Sequence, residues 1–138
     1  MIHENIVMKR LEKLPKEVQL AAVKADGCVI QYIVNPSKAI QLAAVNENGD
    51  AIQYINNPSK TVQLAAVKQR AYAIKFITNP SEAVQLAAVT QYGQAIRFIP
   101  NPSEAVQLAA VKACKNAIEY LTNLTEAVRS LRSKKNTL

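Results

Sequence analysis

Hydrophobic and polar positions along this chain recur together every 22 residues. The run Gln-Leu-Ala-Ala-Val starts at Gln19, Gln41, Gln63, Gln85 and Gln107. A second apolar cluster keeps step with it: Ile30, Ile52, Ile74, Ile96 and Ile118 are each followed two residues later by Tyr32, Tyr54, Phe76, Phe98 and Tyr120. Asn-Pro-Ser starts at Asn35, Asn57, Asn79 and Asn101. Self-similarity at such a period is the mark of a repeat architecture, and five copies cover most of the chain.

One copy contains the signals for two helices. Asn35 is the expected N-cap and Pro36 the first helical residue, where its missing N–H has no partner to lose. Ala39 to Val45 are good helix formers, and Gly49 stands where a left-handed glycine commonly ends a helix. Gly27 and Gly93 repeat that stop, while Ala71 and Lys115 replace it in the third and fifth copies, so those two turns are expected to differ. A short second helix, Asp50 to Ile55, then leads to the next Asn-Pro. About 12 plus 6 helical residues leave four for two turns, a tight helical hairpin. Projected at 100° per residue, Ala39, Ile40, Leu42 and Ala43 form a broad apolar arc opposite Ser37, Lys38, Gln41 and Asn48.

Hairpins that bury their faces only against one another build a solenoid. The expected fold is therefore all-α: an α-solenoid of five stacked short helical hairpins in one domain, with degenerate half-repeats capping both ends, about 45 Å long at 8–10 Å per helix. Residues 1–14 form the N-terminal half-repeat, in which Ile6 to Leu11 takes the place of the second helix and Arg10 that of the aromatic. Residues 15–122 hold the five repeats, and residues 123–138 a C-terminal capping helix and basic tail, where Arg129-Ser130-Leu131-Arg132-Ser133 replaces the apolar run.

Composition narrows the function. With 49% hydrophobic and 20% charged residues the chain can bury a core. The net charge of +7 invites a nucleic-acid reading. However, residues 1–16 carry four basic against two acidic residues, residues 129–138 four basic and none acidic, and residues 17–128 nine against eight. The repeats are nearly neutral and the charge belongs to the ends. Nothing resembles a signal peptide or an apolar span long enough for a bilayer, so a cytoplasmic protein with no membrane partner is expected. The one histidine, His3, lies near the terminus, and no metal-ligand cluster or phosphate-cradling glycine loop is present, so neither an enzyme nor a cofactor is expected. Cys28 and Cys114 stand four repeats apart, too far to pair within one chain, and free thiols are expected.

The Leu-Ala-Ala-Val motif, the glycine after it and the apolar-aromatic cluster resemble a family of short helical repeats found in bacteria and their phages, over roughly Val18 to Leu121. More distantly the pattern is similar to HEAT-like and variant leucine-rich helical repeats, in which an Asn-Pro or Asp-Pro pair opens a helix. The resemblance implies the stacked fold and no particular chemistry. For small members carried by phages it implies action on host proteins, defence systems among them.

Aligning the copies with one another separates uniform from variable columns. Leu42, Ala43, Ala44, Val45, Ile52, Ile55 and their equivalents read as core. The aromatic column alternates between phenol and phenyl, which favours packing over a base-stacking platform. The glutamine column sits on the polar stripe and reads as an amide ladder bonding to neighbouring turns, with repeated contact to an extended ligand as the alternative. Recognition is expected in the variable columns. The middle copies carry Lys68, Arg70, Lys75 and Arg97 with Tyr72 and Tyr92 between them, a candidate surface for acidic protein or phosphate. In the first helical turn Lys16, Lys38 and Lys60 give way to Glu82, Glu104 and Glu126. Glutamate there suits the helix dipole and can complete a capping box, whereas lysine opposes the dipole and makes Lys38 and Lys60 candidates for docking an acidic partner. The expectation is a non-catalytic protein that binds a macromolecule, foremost a protein and alternatively nucleic acid, as a monomer or with weak self-association.

Overall fold

The computed structural model describes Leu11 and residues 13–136. The N-terminal half-repeat, apart from Leu11, Lys13 and Leu14, lies outside the described residues, as do His3 and Arg10. Among the described residues six long α-helices alternate with five 3₁₀ helices, and no strand occurs. The long helices are α1 (Lys16–Ala25), α2 (Lys38–Glu47), α3 (Lys60–Gln69), α4 (Glu82–Gln91), α5 (Glu104–Ala113) and α6 (Glu126–Asn136). The 3₁₀ helices are η1 (Gly27–Tyr32), η2 (Gly49–Tyr54), η3 (Ala71–Phe76), η4 (Gly93–Phe98) and η5 (Lys115–Tyr120). Each long helix packs on the next long helix, each 3₁₀ helix on the next, and α2 to α5 on the 3₁₀ helices before and after them. The result is the expected all-α solenoid, a layer of long helices against a layer of short ones.

The helix starts differ from the sequence expectation. Ser37, not Asn35, caps α2: its backbone is extended, and its Oγ accepts the Ile40 N–H at 3.3 Å. Ser59, Ser81 and Ser103 do the same for α3, α4 and α5. Asn35, Asn57, Asn79 and Asn101 instead take left-handed backbone, with φ of 50°, 48°, 51° and 52°. Asparagine tolerates that region better than most residues, and the fixed φ of the following proline then aims the chain into the helix. Moving the cap by two residues makes Glu82 the first helical residue rather than the third. The expected capping box is therefore not built, since the third position is Val84.

The helix ends differ as well. No glycine has positive φ. The long helices end one residue before the glycine, at an extended residue such as Asn48 (φ −147°, ψ 108°) whose N–H bonds to Ala44 O at 2.9 Å. Glycine is required by a close approach. A Cβ on Gly49 would lie 2.5 Å from the Ala66 carbonyl oxygen of the next long helix, and Gly27 and Gly93 face Ala44 and Ala110 in the same way. The Gly49 N–H meets Gln69 Oε1 at 2.6 Å, and that of Gly27 meets Glu47 Oε2 at 2.5 Å. Ala71 and Lys115 do not change the turn: Arg70 (φ −150°, ψ 112°) and Cys114 (φ −150°, ψ 113°) match Asn48. What Ala71 lacks, among the described residues, is the corresponding bond to Gln91.

The short helices are 3₁₀ because their apolar spacing is three. Gly49, Ile52 and Ile55 are buried in one ridge, as are Gly27, Ile30 and Ile33. In a 3₁₀ helix residues three apart eclipse, so one edge of each short helix faces the core. From the long helices the core takes Ile40, Ala44 and Val45 and their equivalents, each 2% exposed or less between α2 and α4. Each isoleucine so buried contributes roughly 1.5–3 kcal/mol.

One part of the expected core is placed elsewhere. Leu42 and Ala43 are only half-buried, and Ala39 is exposed. With Ile40, Ala44 and Val45 pointing inward, the 100° step turns Ala39, Leu42, Ala43 and Asn46 to the outer side of the α layer.

Candidate partner-binding surfaces

The stack offers four surfaces: the outer face of the long helices, the outer face of the 3₁₀ helices, the edge of turns before each 3₁₀ helix, and the Asn-Pro edge. The candidate residues divide among them and do not all form one patch, although Tyr72, Lys75 and Arg97 border the same Phe98 ring.

Lys68 lies on the outer face of the long helices, where Leu42 and Asn46 of α2 and Leu64, Ala65 and Lys68 of α3 line a shallow groove of about 500 Å³. The same positions recur as Ala83, Leu86, Ala87 and Thr90 in α4 and Ala105, Leu108, Ala109 and Lys112 in α5, all exposed or half-buried. Lys24, Lys68 and Lys112 occupy every second repeat of one exposed column, and no acidic residue stands in it. This is an apolar surface with a lysine rim. It escaped the sequence reading because uniform leucine and alanine columns look like core. The signal was the width of the arc: an apolar stripe wider than the core needs leaves some of itself outside.

Arg70, Tyr72 and Tyr92 lie along the turn edge and close the joints between repeats. Arg70 Nη1 pairs with Asp50 Oδ2 at 2.7 Å, the one ion pair among the described residues with both partners described. Tyr72 meets Tyr92 edge-to-face at 5.1 Å between centroids, and Phe98 at 5.3 Å. Both tyrosine hydroxyls donate to Gln94 Oε1, at 3.5 and 3.4 Å. The flanking joints use Asn48 Nδ2 to Cys28 Sγ (3.4 Å) and Gln94 Nε2 to Cys114 Sγ (3.9 Å). Each joint thus joins residues 20 apart, the two flanking ones by an amide on a cysteine sulfur and the two central ones by an ion pair and an aromatic pair. The sequence already carried this as an acid–base pair, Asp50 with Arg70, and an aromatic pair, Tyr72 with Tyr92. Burial raises the Tyr72 pKa, with the neighbouring Tyr92 adding to the effect. Burial likewise pushes the Cys28 thiol up, helped by Asp26, Glu47 and Asp50. Cys28 and Cys114 are both half-buried free thiols.

Lys75 and Arg97 project from the outer face of η3 and η4. Lys75 Nζ lies 5.0 Å from the Phe76 ring centre and 5.9 Å from that of Phe98, and Arg97 Cζ lies 5.3 Å from Phe98 and 5.5 Å from Tyr120. Cations and rings therefore alternate along this face, each cation held by ring quadrupoles and still exposed. Glu119 ends the column.

At the Asn-Pro edge stand Lys38 and Lys60, exposed first residues of their helices. Three members of the glutamine column bond within their own repeat: Gln41, Gln63 and Gln85 donate to the carbonyls of Pro36, Pro58 and Pro80 at 2.9–3.0 Å, whereas Gln19 donates to Leu11 O at 2.8 Å and Leu14 O at 3.4 Å in the half-repeat before it. Only Gln107 also reaches the next turn, donating to Asn123 O at 3.1 Å and accepting from Thr125 N–H at 3.3 Å. In the three central repeats the ladder expected between neighbouring turns is replaced by a clamp on the turn that starts the helix, while at the ends Gln19 and Gln107 do bond to the neighbouring segment. Open clefts of about 350 and 410 Å³ lie beside Gln63 and Gln41, between successive turns.

Among the described residues, no helix is long and apolar enough to cross a membrane. Comparison with protein-family models, curated proteins and solved structures finds no match to this chain.

Proposed function

We propose that the chain is a non-catalytic recognition module that binds an acidic protein partner along the outer face of its long helices. The observation that carries this reading is the half-buried column of Leu20, Leu42, Leu64, Leu86 and Leu108, of which the first four pack against the core with part of the side chain and leave the rest on the outer face of the long helices, next to exposed alanines. Contiguous apolar surface of this kind is characteristic of protein interfaces. The lysine column of Lys24, Lys68 and Lys112 makes a carboxylate-bearing partner the complementary one. The resemblance to repeats of bacteria and their phages directs the search to a host factor, including defence proteins.

The test is capture from bacterial lysate by the wild-type chain and by two double variants. The expected result is a stoichiometric protein that survives nuclease treatment, is retained by Lys75→Ala with Arg97→Ala, and is lost with Leu64→Glu plus Leu86→Glu. Capture indifferent to the leucine changes overturns the reading.

A second reading has its own support in the alternation of Lys75 and Arg97 with Phe76, Phe98 and Tyr120, which suits a single-stranded nucleic acid. It predicts binding that weakens steeply with salt and on Lys75→Ala plus Arg97→Ala. A low ratio of absorbance at 260 to 280 nm after purification at low salt, together with no binding to oligonucleotides, excludes it.

A further inference from the structure

The first residue of the six long helices is, in chain order, Lys16, Lys38, Lys60, Glu82, Glu104 and Glu126. All six are exposed, and Lys38, Lys60, Glu82 and Glu104 make no ion pair among the described residues. The four central helices share one capping geometry, so these side chains start from equivalent places along one edge of the stack. One half of the edge is cationic and the other anionic.

We propose that this edge docks against the same edge of a second copy of the chain, antiparallel, about a two-fold axis passing between Lys60 and Glu82. That axis sets Lys60 against Glu82, Lys38 against Glu104 and Lys16 against Glu126, each pair occurring twice. A two-fold interface must be self-complementary, and a row of three lysines followed by three glutamates meets that condition in the antiparallel sense. Side by side in the parallel sense, the same row meets its own charge at every position. The docking also answers the one local conflict in the sequence. Lysine at a helix start opposes the macrodipole, and a carboxylate from the second copy approaches both the lysine and the helix end. This edge is separate from the outer face of the long helices, so a dimer leaves two such faces open for partners, and the two proposals fail separately.

The experiment measures molar mass against concentration by sedimentation equilibrium, at low and high ionic strength. It uses the wild type, Lys38→Glu with Lys60→Glu, Glu82→Lys with Glu104→Lys, and an equimolar mixture of the two variants. Helix content by circular dichroism establishes that each variant is folded. The wild type is expected to dimerise at low ionic strength, with affinity falling at least about tenfold as salt screens the row. Each variant alone is expected to stay monomeric, because its edge is mostly one sign. The mixture is expected to form a heterodimer, since every facing pair is again opposite. A wild type that stays monomeric at low ionic strength overturns the proposal. So does a dimer indifferent to either reversal, or a mixture that stays monomeric while the wild type dimerises.

Discussion

Gly49→Ala tests whether the glycines serve the joint between repeats or the backbone turn. The Gly49 backbone does not have positive φ, so alanine is conformationally allowed there. Its methyl would sit 2.5 Å from Ala66 O and 3.2 Å from Arg70 Cβ, inside contact distance of backbone that cannot rotate away. Overpacking of this kind costs about 1–3 kcal/mol. Pushing the next repeat away also loses the 2.6 Å bond from Gly49 N–H to Gln69, worth about 0.5–1.5 kcal/mol. The smaller conformational entropy of unfolded alanine returns about 0.4–1 kcal/mol. The expected net loss is about 0.5–4 kcal/mol, or about 2–14 °C in melting temperature for a chain of this size. Ala71 shows the same substitution made naturally: the residue is buried, 5% exposed, and its bond to the following glutamine is absent. Thermal melting of Gly49→Ala and Gly49→Asn, with amide exchange at residue 49, separates the explanations. The close approach predicts that asparagine is worse than alanine and that amide 49 loses protection. A neutral or stabilising Gly49→Ala, or an asparagine better tolerated than alanine, refutes the reasoning.

The capping assignment predicts that Ser59→Ala lowers stability by about 1 kcal/mol by chemical denaturation. At the left-handed Asn57, glycine should be tolerated at least as well as asparagine, while alanine loses about 1–2 kcal/mol. Ile74→Ala, at a site 1% exposed, should cost about 2–5 kcal/mol, with amide exchange rising most in η3 and its neighbours because a stack unfolds locally. A double-mutant cycle on Asp50 and Arg70 should give a coupling of only about 0.2–1 kcal/mol that shrinks in salt, since the Arg70 side chain is 54% exposed. In a Cys114→Ser protein, burial and then the three nearby carboxylates hold the Cys28 thiol neutral. Alkylation near neutral pH should therefore be slower than in the unfolded chain. Because the folded pKa is the higher one, the stability linked to this thiol is intact below the unfolded pKa and is lost as pH rises through the folded value.

Local physics was enough to read much of this protein from its residues. The 22-residue period, the number of hairpins, the helix start near each Asn-Pro-Ser and the absence of a strand among the described residues follow from hydrophobic spacing and from proline and serine at helix starts, which act within a few residues. The three-residue spacing of Gly49, Ile52 and Ile55 carried the 3₁₀ geometry too, though a short apolar run does not announce its period. Tertiary structure alone decided the rest, because it depends on what the next repeat brings. Leu-Ala-Ala-Val is apolar nearly all round the helix, so only packing determines that Ala44 and Val45 face inward while Leu42 and Ala43 edge the outer face. Gly49 is glycine because Ala66 O arrives beside it, a constraint 17 residues away in sequence. The scattered charges and aromatics at Asp50, Arg70, Tyr72 and Tyr92 become partners only once stacking brings residues 20 apart together. That same stacking aligns six separate helix starts into one edge, giving Lys38, Lys60, Glu82 and Glu104 a collective charge pattern that no single repeat possesses.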